Sequence, residues 1–392
     1  MVAITAEARS DTKVVGLVSL AHFFSHFYVL ALPPLFPVLK ETYGVSYAAL
    51  GLLMAAMNIG TGILQPAMGV LVDRVGGKTV LIAGLALHAA AMGAIGFTSS
   101  YVATLLLMAL SGIANSVYHP ADYAILNASV DKRHMGRAFS VHTFAGYLGF
   151  AAAPAGIALL SAPLGWRGAL IATGAAGLLS AAVLLWQKEA LADRRAGHKA
   201  DASGSEFLKL PAIWLSFFFF TLLSVAGSGL NSFSVAALDL LRGTPFWAAT
   251  AGLSVFLFAA AAGVLAGGPI ADRTTRHGMV AALCLVASAA IFALIAVVDL
   301  GIAGYMAAMA VGGLLNGIVQ PSRDMMVRAV TPPGSIGKVF GFVTSGFNVG
   351  GIVGPMIYGS LLDHGQAAWV FWLIAVFNLL SVATVMSVRW RR

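Results

Sequence analysis

Long apolar segments recur along almost the whole chain, and they restrict it to folds that are stable in a lipid bilayer. Hydrophobic residues make up 59% of the 392 residues and charged residues only 10%, whereas a soluble domain carries about 25% charged residues. A helix that crosses the bilayer needs roughly 20 apolar residues. The sequence therefore predicts an all-α membrane protein with twelve transmembrane helices, at residues 14–37, 47–70, 79–97, 101–127, 137–160, 167–187, 211–237, 247–270, 278–298, 302–327, 338–361 and 367–387.

Basic residues are distributed unevenly among the segments that connect the predicted helices. The formal net charge is +8. If both termini lie in the cytoplasm, only Lys40, Arg167 and Arg242 fall in segments on the outer side. This bias is the positive-inside pattern, which sets the orientation of membrane proteins. We therefore expect a multi-pass protein of the cytoplasmic (inner) membrane with both termini in the cytoplasm, and no nucleic-acid partner.

A short sequence that occurs twice shows that the chain consists of two similar halves. The segment Gly69–Lys78 returns as Gly268–His277, with its Asp-Arg pair 199 residues further on. Other residues correspond at a shift of 201, namely Gly112 with Gly313, Asn115 with Asn316 and Pro120 with Pro321. A shared shift over several helices indicates internal duplication, which is a common architecture among transporters.

The densest run of charged residues lies between the two halves. We predict an N-terminal six-helix bundle over residues 1–187, a cytoplasmic linker over 188–210 and a C-terminal six-helix bundle over 211–392. Each half holds an even number of predicted helices, so both insert in the same orientation. The two bundles should be pseudo-symmetric about an axis along the membrane normal.

The repeated Asp-Arg pairs are candidates for a conformational latch, formed by Gly69, Asp73, Arg74, Asp272 and Arg273. They lie just past predicted helices two and eight. A carboxylate there can cap the positive start of a neighbouring helix or pair with an arginine, and such contacts can form in one conformation and break in another. The alternative is a solvated turn that only enforces topology.

The same residues resemble the signature of the major facilitator superfamily. That signature has a glycine, three further residues, Asp-Arg, a glycine and then basic residues. It is matched by Gly69, Asp73, Arg74, Gly76 and Lys78, and in a weaker second copy by Gly268, Asp272, Arg273 and Arg276. The resemblance implies two six-helix bundles around a central cavity lined mainly by helices one, four, seven and ten.

Polar side chains inside the predicted helices form a second group of candidate functional residues. Ionisable groups within a membrane helix are energetically costly and usually mark a transport pathway or a partner. The candidate substrate and proton residues are His22, His26, Asn115, Tyr118, His119, Asp122, His142, Asn231, Asn316, Gln320, Arg323 and Asn348.

Two of these candidates carry opposite charges at equivalent places in the two halves. Asp122 and Arg323 correspond at the shift of 201, so pseudo-symmetry predicts a similar depth on facing sides of the cavity. We hypothesise a charge relay between them that an anionic substrate or a proton can break. The alternative is local pairing, with Arg323 on a carbonyl and Asp324 on Arg328 at i+4.

The histidines favour proton binding or hydrogen bonding to substrate. Imidazole ordinarily titrates near pH 6.5, so His22, His26 and His119 could carry protons together with Asp122. A metal site is the rival interpretation, because His22 and His26 share a helix face. Two histidines with no nearby cysteine or second carboxylate make this signal weak, and we predict no metal.

Within the superfamily, the chain resembles the fosmidomycin-resistance type of exporter. The shared residues are His22, Leu64-Gln65-Pro66 and Tyr118-His119-Pro120. The acidic residue that this group has in helix one is His26 here, and the acidic residue of helix four appears one place later, as Asp122.

Together these features predict a proton-coupled secondary transporter that moves a small anionic organic molecule by alternating access. Export is favoured over its close alternative, uptake of a carboxylate-type metabolite. A metal-ion transporter and a non-transporting sensor remain open. No phosphate-binding loop or Gly-x-Ser-x-Gly motif is present, so we predict neither ATP drive nor enzymatic activity. The expected partners are a small molecule, protons and lipid, with no cofactor, and the expected state is a monomer.

Overall fold

The computed structural model describes residues 6–131, 134–191, 206–332 and 336–387. Over these ranges the chain is helical and contains no strand. The α-helices are α1 (Ala6–Ala31), α2 (Phe36–Tyr43), α3 (Tyr47–Val75), α4 (Gly77–Ile95), α5 (Tyr101–Asn115), α6 (Tyr118–Ser129), α7 (Met135–Trp186), α8 (Pro211–Ser228), α9 (Ser234–Arg242), α10 (Phe246–Arg273), α11 (His277–Val297), α12 (Gly301–Val330), α13 (Ile336–Asp363) and α14 (Ala367–Ser387).

Eleven helical segments of the described residues are long and apolar enough to cross a membrane. The all-helical membrane fold is therefore confirmed, with eleven such segments where the sequence predicts twelve. The difference lies in α7, whose 52 residues contain both the fifth and the sixth predicted helices. Such a helix would be far longer than a bilayer is thick. Its continuity is interrupted at Gly165, whose φ of 66° is not helical.

Prolines determine where several of the predicted helices are interrupted. The first ends at Ala31 because Pro33 and Pro34 follow, and a residue before proline disfavours the helical conformation. The fourth is split into α5 and α6 just before Pro120. Proline lacks the N–H that would continue the helical hydrogen bonds, so α6 starts as a separate helix.

The helices pack into two compact units. The first comprises residues 1–35 and 56–200, and the second comprises residues 36–55 and 201–392. The start of α3 thus belongs to the second unit, where Asp363 accepts hydrogen bonds from the backbone N–H groups of Tyr47 and Ala48 at 2.7 and 2.8 Å. The predicted boundaries at 187 and 211 stay a prediction.

Close contact between helix backbones is the main packing device of the first unit. The α1 helix lies along α7, and a Cβ at Gly149 would collide with the carbonyl oxygen of Phe23. A Cβ at Gly112 of α5 would likewise collide with the carbonyl oxygen of Met57 in α3. Small residues let membrane helices approach this closely, so these glycines set the interhelical spacing.

The second unit uses the same device between α8 and α13. The glycines of α13 that recur every fourth residue, Gly346, Gly350 and Gly354, lie against the backbone and small side chains of α8. The hydroxyl of Ser224 also donates to the carbonyl of Phe347 at 2.7 Å. The apolar core of this unit includes Phe219, Phe220, Leu285, Val319, Met326 and Val343.

We expect Gly149→Ala to destabilise the protein, because the new methyl group would overlap the backbone of α1. Overpacking of this kind costs about 1–3 kcal/mol. Gly16→Ala in α1 is the matched control, since its Cβ would meet open space. The control should change stability by no more than about 1 kcal/mol, in the stabilising direction. Thermal unfolding of the two purified variants in detergent measures the difference, and equal melting temperatures would contradict the packing role of Gly149.

Candidate functional site

Three buried side chains from three helices of the first unit meet around one carboxylate. Nδ1 of His22 in α1 lies 3.1 Å from Oδ2 of Asp122 in α6. Nε2 of His142 in α7 lies 3.6 Å from the same oxygen, beyond hydrogen-bond distance. Asp122 and His142 are fully buried, and His22 is 4% exposed. We call these three residues the His–Asp cluster.

Two further imidazoles surround the His–Asp cluster. The ring of His22 lies 3.8 Å from that of His142, 4.5 Å from that of His26 and 5.3 Å from that of His119, measured between centroids. Four of the nine histidines of the chain are thus gathered around Asp122. The structure brings together five of the residues that the sequence predicted.

The local structure of each helix explains how these side chains meet. His22 and His26 are four residues apart in α1 and therefore share a face. His119 and Asp122 lie in the first turns of α6, which starts anew after the break before Pro120. In α7, a Cβ at Gly146 would lie 2.8 Å from Nε2 of His22. Only a residue without a side chain leaves room there for the imidazole.

Several polar atoms of the His–Asp cluster and of the two imidazoles around it have no hydrogen-bond partner among the described residues. They are Oδ1 of Asp122, Nδ1 of His26, Nδ1 of His119 and both ring nitrogens of His142. Buried polar atoms are nearly always paired, and exceptions often have a functional reason. A buried carboxylate beside several imidazoles has the donors and acceptors needed to take up a proton or a cation.

The cluster also has the ligand atoms that a divalent metal ion would need. One ligand atom from each of His22, Asp122 and His142 lies within 4.8 Å of the other two. Imidazole nitrogen and carboxylate oxygen are both common zinc ligands. The sequence interpretation considered only the pair His22 and His26. The geometry instead selects His142, which is 120 residues from His22 in sequence and could be added only once the helices were packed.

Two predicted residues of the first unit have partners outside the His–Asp cluster. The hydroxyl of Tyr118 lies 3.3 Å from Nδ1 of His88 in α4. The amide of Asn115 donates to Oγ1 of Thr61 in α3 at 3.3 Å. Both contacts join neighbouring helices. His88, which is fully buried beside Tyr28 and Tyr118, is thus part of the packing of this unit.

In the second unit, Arg323 of α12 has an acidic partner on its own helix. Its Nε donates to Oδ1 of Asp324 at 2.9 Å. Its guanidinium carbon lies 4.7 Å from the ring centroid of Phe220 and 5.4 Å from that of Phe347. Asp122 and Arg323 therefore each have a partner within their own unit, and the charge relay between them stays a prediction.

The remaining candidates of the second unit lie on three elements. Asn316 and Gln320 precede Arg323 on α12, and Asn348 follows Phe347 on α13. Asn231 lies in a five-residue π-helical segment, Gly229–Phe233, that continues α8. Such segments are rare and frequent at functional sites. The Oδ1 atom of Asn231 has no partner within the described residues.

The predicted latch residues lie in the last turns of α3 and α10, and not beyond these helices as the sequence suggested. Asp73, Arg74, Asp272 and Arg273 are all exposed. A carboxylate at the C-terminal end of its own helix is disfavoured by the helix dipole, so its stabilising partner must come from elsewhere. The structure assigns these four residues no ion pair among the residues it describes. The latch stays a prediction.

Comparison with known protein families identifies the type of protein. The sequence profile of the Major Facilitator Superfamily matches residues 18–301 and 247–392. The chain belongs to this superfamily. The resemblance seen in the Asp-Arg repeat is thereby confirmed, and the chain is a multi-pass membrane protein of a transporter family whose members act on small molecules.

Relatives of known name include two resistance proteins. The fosmidomycin resistance protein of Escherichia coli strain K12 is 24% identical over 98% of this chain and 94% of its own length. The multi-drug resistance efflux pump PmrA of Streptococcus pneumoniae is 24% identical over 91% of this chain and 92% of its own length. These superfamily members are transporters and not enzymes.

Solved structures share the fold at lower sequence identity. A bacterial homologue of the human lysosomal transporter Spinster, in an inward-facing and occupied conformation, has a TM-score of 0.81 and 16% identity and covers 96% of both chains. The nucleoside transporter NupG has a TM-score of 0.76 and 19% identity over 96% of this chain and 98% of its own. At this identity the likeness shows the fold alone.

We expect Asp122→Asn to stabilise the protein at pH 9, because it removes the cost of burying a charge while keeping a hydrogen-bonding group beside His22. His88→Gln should have the opposite effect, since it disrupts a buried contact with Tyr118. Thermal unfolding of purified variants measures both. A marked loss of stability in Asp122→Asn would indicate that the carboxylate serves the packing of the first unit.

Proposed function

We propose that this superfamily member is a proton-coupled secondary transporter that moves a small anionic organic molecule by alternating access. The observation that carries the proposal is the His–Asp cluster, in which a fully buried carboxylate lies against two imidazoles. Buried ionisable groups in membrane helices are most often part of an ion or substrate pathway.

The chemistry of the His–Asp cluster supports a single coupling proton. A carboxylate and a neutral imidazole together carry one negative charge, and one added proton makes the pair neutral whichever group holds it. His142 can replace His22 as the second partner when the helices move. Binding or release of the proton therefore changes the net charge of the His–Asp cluster by one unit. The charged and the neutral cluster are stable in different environments, so protonation can favour one conformation of the protein over another.

The substrate class and direction rest on separate observations. Arg323 is a cation inside a predicted membrane helix, and it supports an anionic substrate. The names of the two bacterial relatives refer to resistance and efflux, which supports export over uptake of a carboxylate-type metabolite. The uneven distribution of basic residues supports an inner-membrane protein with cytoplasmic termini. We retain the six-plus-six bundle division, a monomeric state and the latch role of Asp73 and Asp272 as parts of this proposal.

Metal-ion transport is the second candidate function, favoured by the three ligand atoms of the His–Asp cluster. It predicts uptake of labelled zinc or cobalt into proteoliposomes, which proton-coupled transport of an organic anion does not. Saturable metal uptake that is abolished by His142→Gln would replace the proton proposal.

A ligand screen comes before the transport test, because the transport test needs a labelled substrate and the screen identifies it. Purified protein would be screened by thermal unfolding against organic acids and drugs, fosmidomycin included, at pH 5.5 and 7.5. A ligand that binds the folded state raises the apparent stability by mass action. The strongest ligand then becomes the labelled transport substrate.

In proteoliposomes with an imposed pH gradient, we expect Asp122→Asn to abolish concentrative transport of that ligand. The amide cannot take up the coupling proton, so the pH gradient can no longer drive accumulation of the substrate. Exchange of labelled for unlabelled substrate at equal pH should survive, because it needs no net proton movement. His364→Gln, which alters an exposed histidine of the second unit, is the matched control and should retain gradient-driven transport. Wild-type accumulation in Asp122→Asn would refute the proposal.

A further inference from the structure

The guanidinium of Arg323 is held by two aromatic rings that leave part of its edge free. Phe220 of α8 and Phe347 of α13 lie 4.7 and 5.4 Å from its central carbon. Cation–π contacts of this kind are made through the faces of the group. A phenylalanine ring has no oxygen or nitrogen acceptor, so these contacts leave the N–H donors of Arg323 available for oxygen acceptors.

The donors of Arg323 are only partly used within the described residues. Its Nε–H donates to Asp324, whereas the structure records no acceptor for its two terminal nitrogens. The Arg323 side chain is 14% exposed and that of Asp324 is 50% exposed. A carboxylate with this exposure inside a membrane helix requires water and not lipid. Solutes that reach Asp324 through that water can therefore reach the free edge of Arg323.

We infer that Arg323 binds the carboxylate group of an organic-acid substrate through its terminal nitrogens, and that Asp324 is an internal counter-ion that competes for the same guanidinium. Arginine and carboxylate have matching planar geometries and often form two parallel hydrogen bonds. Asn316 and Gln320 lie seven and three residues before Arg323 on α12, which puts all three on one helix face. They are placed to contact polar groups on the rest of the acid.

Asp324 has a specific part in this arrangement. Without a substrate, it keeps the charge of Arg323 neutralised in a region where an isolated arginine is disfavoured. Because Asp324 is adjacent in sequence and uses only the Nε–H, a substrate carboxylate can bind the terminal nitrogens without helix movement, and the negative charge of Asp324 opposes that binding. The Arg323–Asp324 pair would thus be a weak ion pair that competes with substrate binding, and not one that stabilises the fold.

This inference rests on the proposed transport of an organic anion, but it is tested by binding at equilibrium, without a membrane gradient. We expect benzoate to bind the purified full-length protein by isothermal titration calorimetry, and benzamide, its neutral analogue, not to bind. Arg323→Lys keeps the positive charge and loses the planar pair of donors. It should weaken benzoate binding about 10-fold or more.

The decisive variant is Asp324→Asn, which should strengthen benzoate binding several-fold because it removes the competing carboxylate. A structural ion pair would give no such gain. Arg328→Lys, an exposed arginine five residues further along α12, is the matched control and should bind benzoate like the wild type. All variants should first give the same elution volume in size-exclusion chromatography, which excludes misfolding as the cause of lost binding.

Three results would overturn the inference: absence of benzoate binding to the wild type, equal affinity in Arg323→Lys, or weaker binding in Asp324→Asn. None of them affects the proton-coupling test at Asp122, which uses a different unit and a transport readout. Conversely, benzoate binding with the expected variant pattern would stand even if transport proved independent of the pH gradient.

Discussion

The close approach of α1 to α7 is the constraint on which the rest of the first unit depends. At Gly149 the backbone of α7 touches that of α1, and at Gly146 the missing side chain leaves room for the His22 ring. The same approach brings His142 within 3.6 Å of Asp122, which already lies against His22. In a bilayer the hydrophobic effect does little to hold two apolar helices together, so tight packing of small residues and buried polar contacts must do so. Here small residues of α7 pack against α1, and Asp122 of α6 contacts a histidine from each of these two helices.

The two units handle charge in different ways. In the first, a carboxylate is fully buried among imidazoles, whose ring nitrogens can donate or accept a hydrogen bond. In the second, a permanently charged guanidinium lies against two phenylalanine rings beside an exposed carboxylate. One arrangement suits a proton and the other suits an anion. The chain thus keeps the duplicated architecture of its superfamily while its two halves have diverged in the chemistry they present, and the equivalent positions of Asp122 and Arg323 mark that divergence.

Sequence reasoning predicted the all-helical membrane architecture, whereas the partners of individual residues came only from the structure. The length of an apolar segment and the basic residues beside it determine whether that segment spans the membrane and in which orientation. Both are local properties, so they can be recognised in the sequence. The discrepancies arose where neighbouring residues intervene. The fifth and sixth predicted helices follow each other with only a kink at Gly165 between them, and Pro120 split the fourth in two. The charge-relay hypothesis pairs Arg323 with Asp122 by symmetry and stays a prediction, whereas the partner that the structure gives Arg323 is the adjacent Asp324. Tyr118 was predicted as a substrate or proton residue, and only the structure shows that its hydroxyl contacts His88.

The sequence by itself determined that this chain is an all-helical, duplicated membrane protein of the Major Facilitator Superfamily, because hydropathy, charge bias and the Asp-Arg repeat are properties of segments. It also supplied the individual histidines, Asp122 and Arg323 as costly groups in an apolar setting. Only the tertiary structure decided which of them meet. Residues 22, 122 and 142 are separated by up to 120 positions in sequence, and the rotation and spacing of helices about their axes depend on side-chain packing. The grouping of these residues around one carboxylate is therefore a property of the packed helices, and no single segment encodes it.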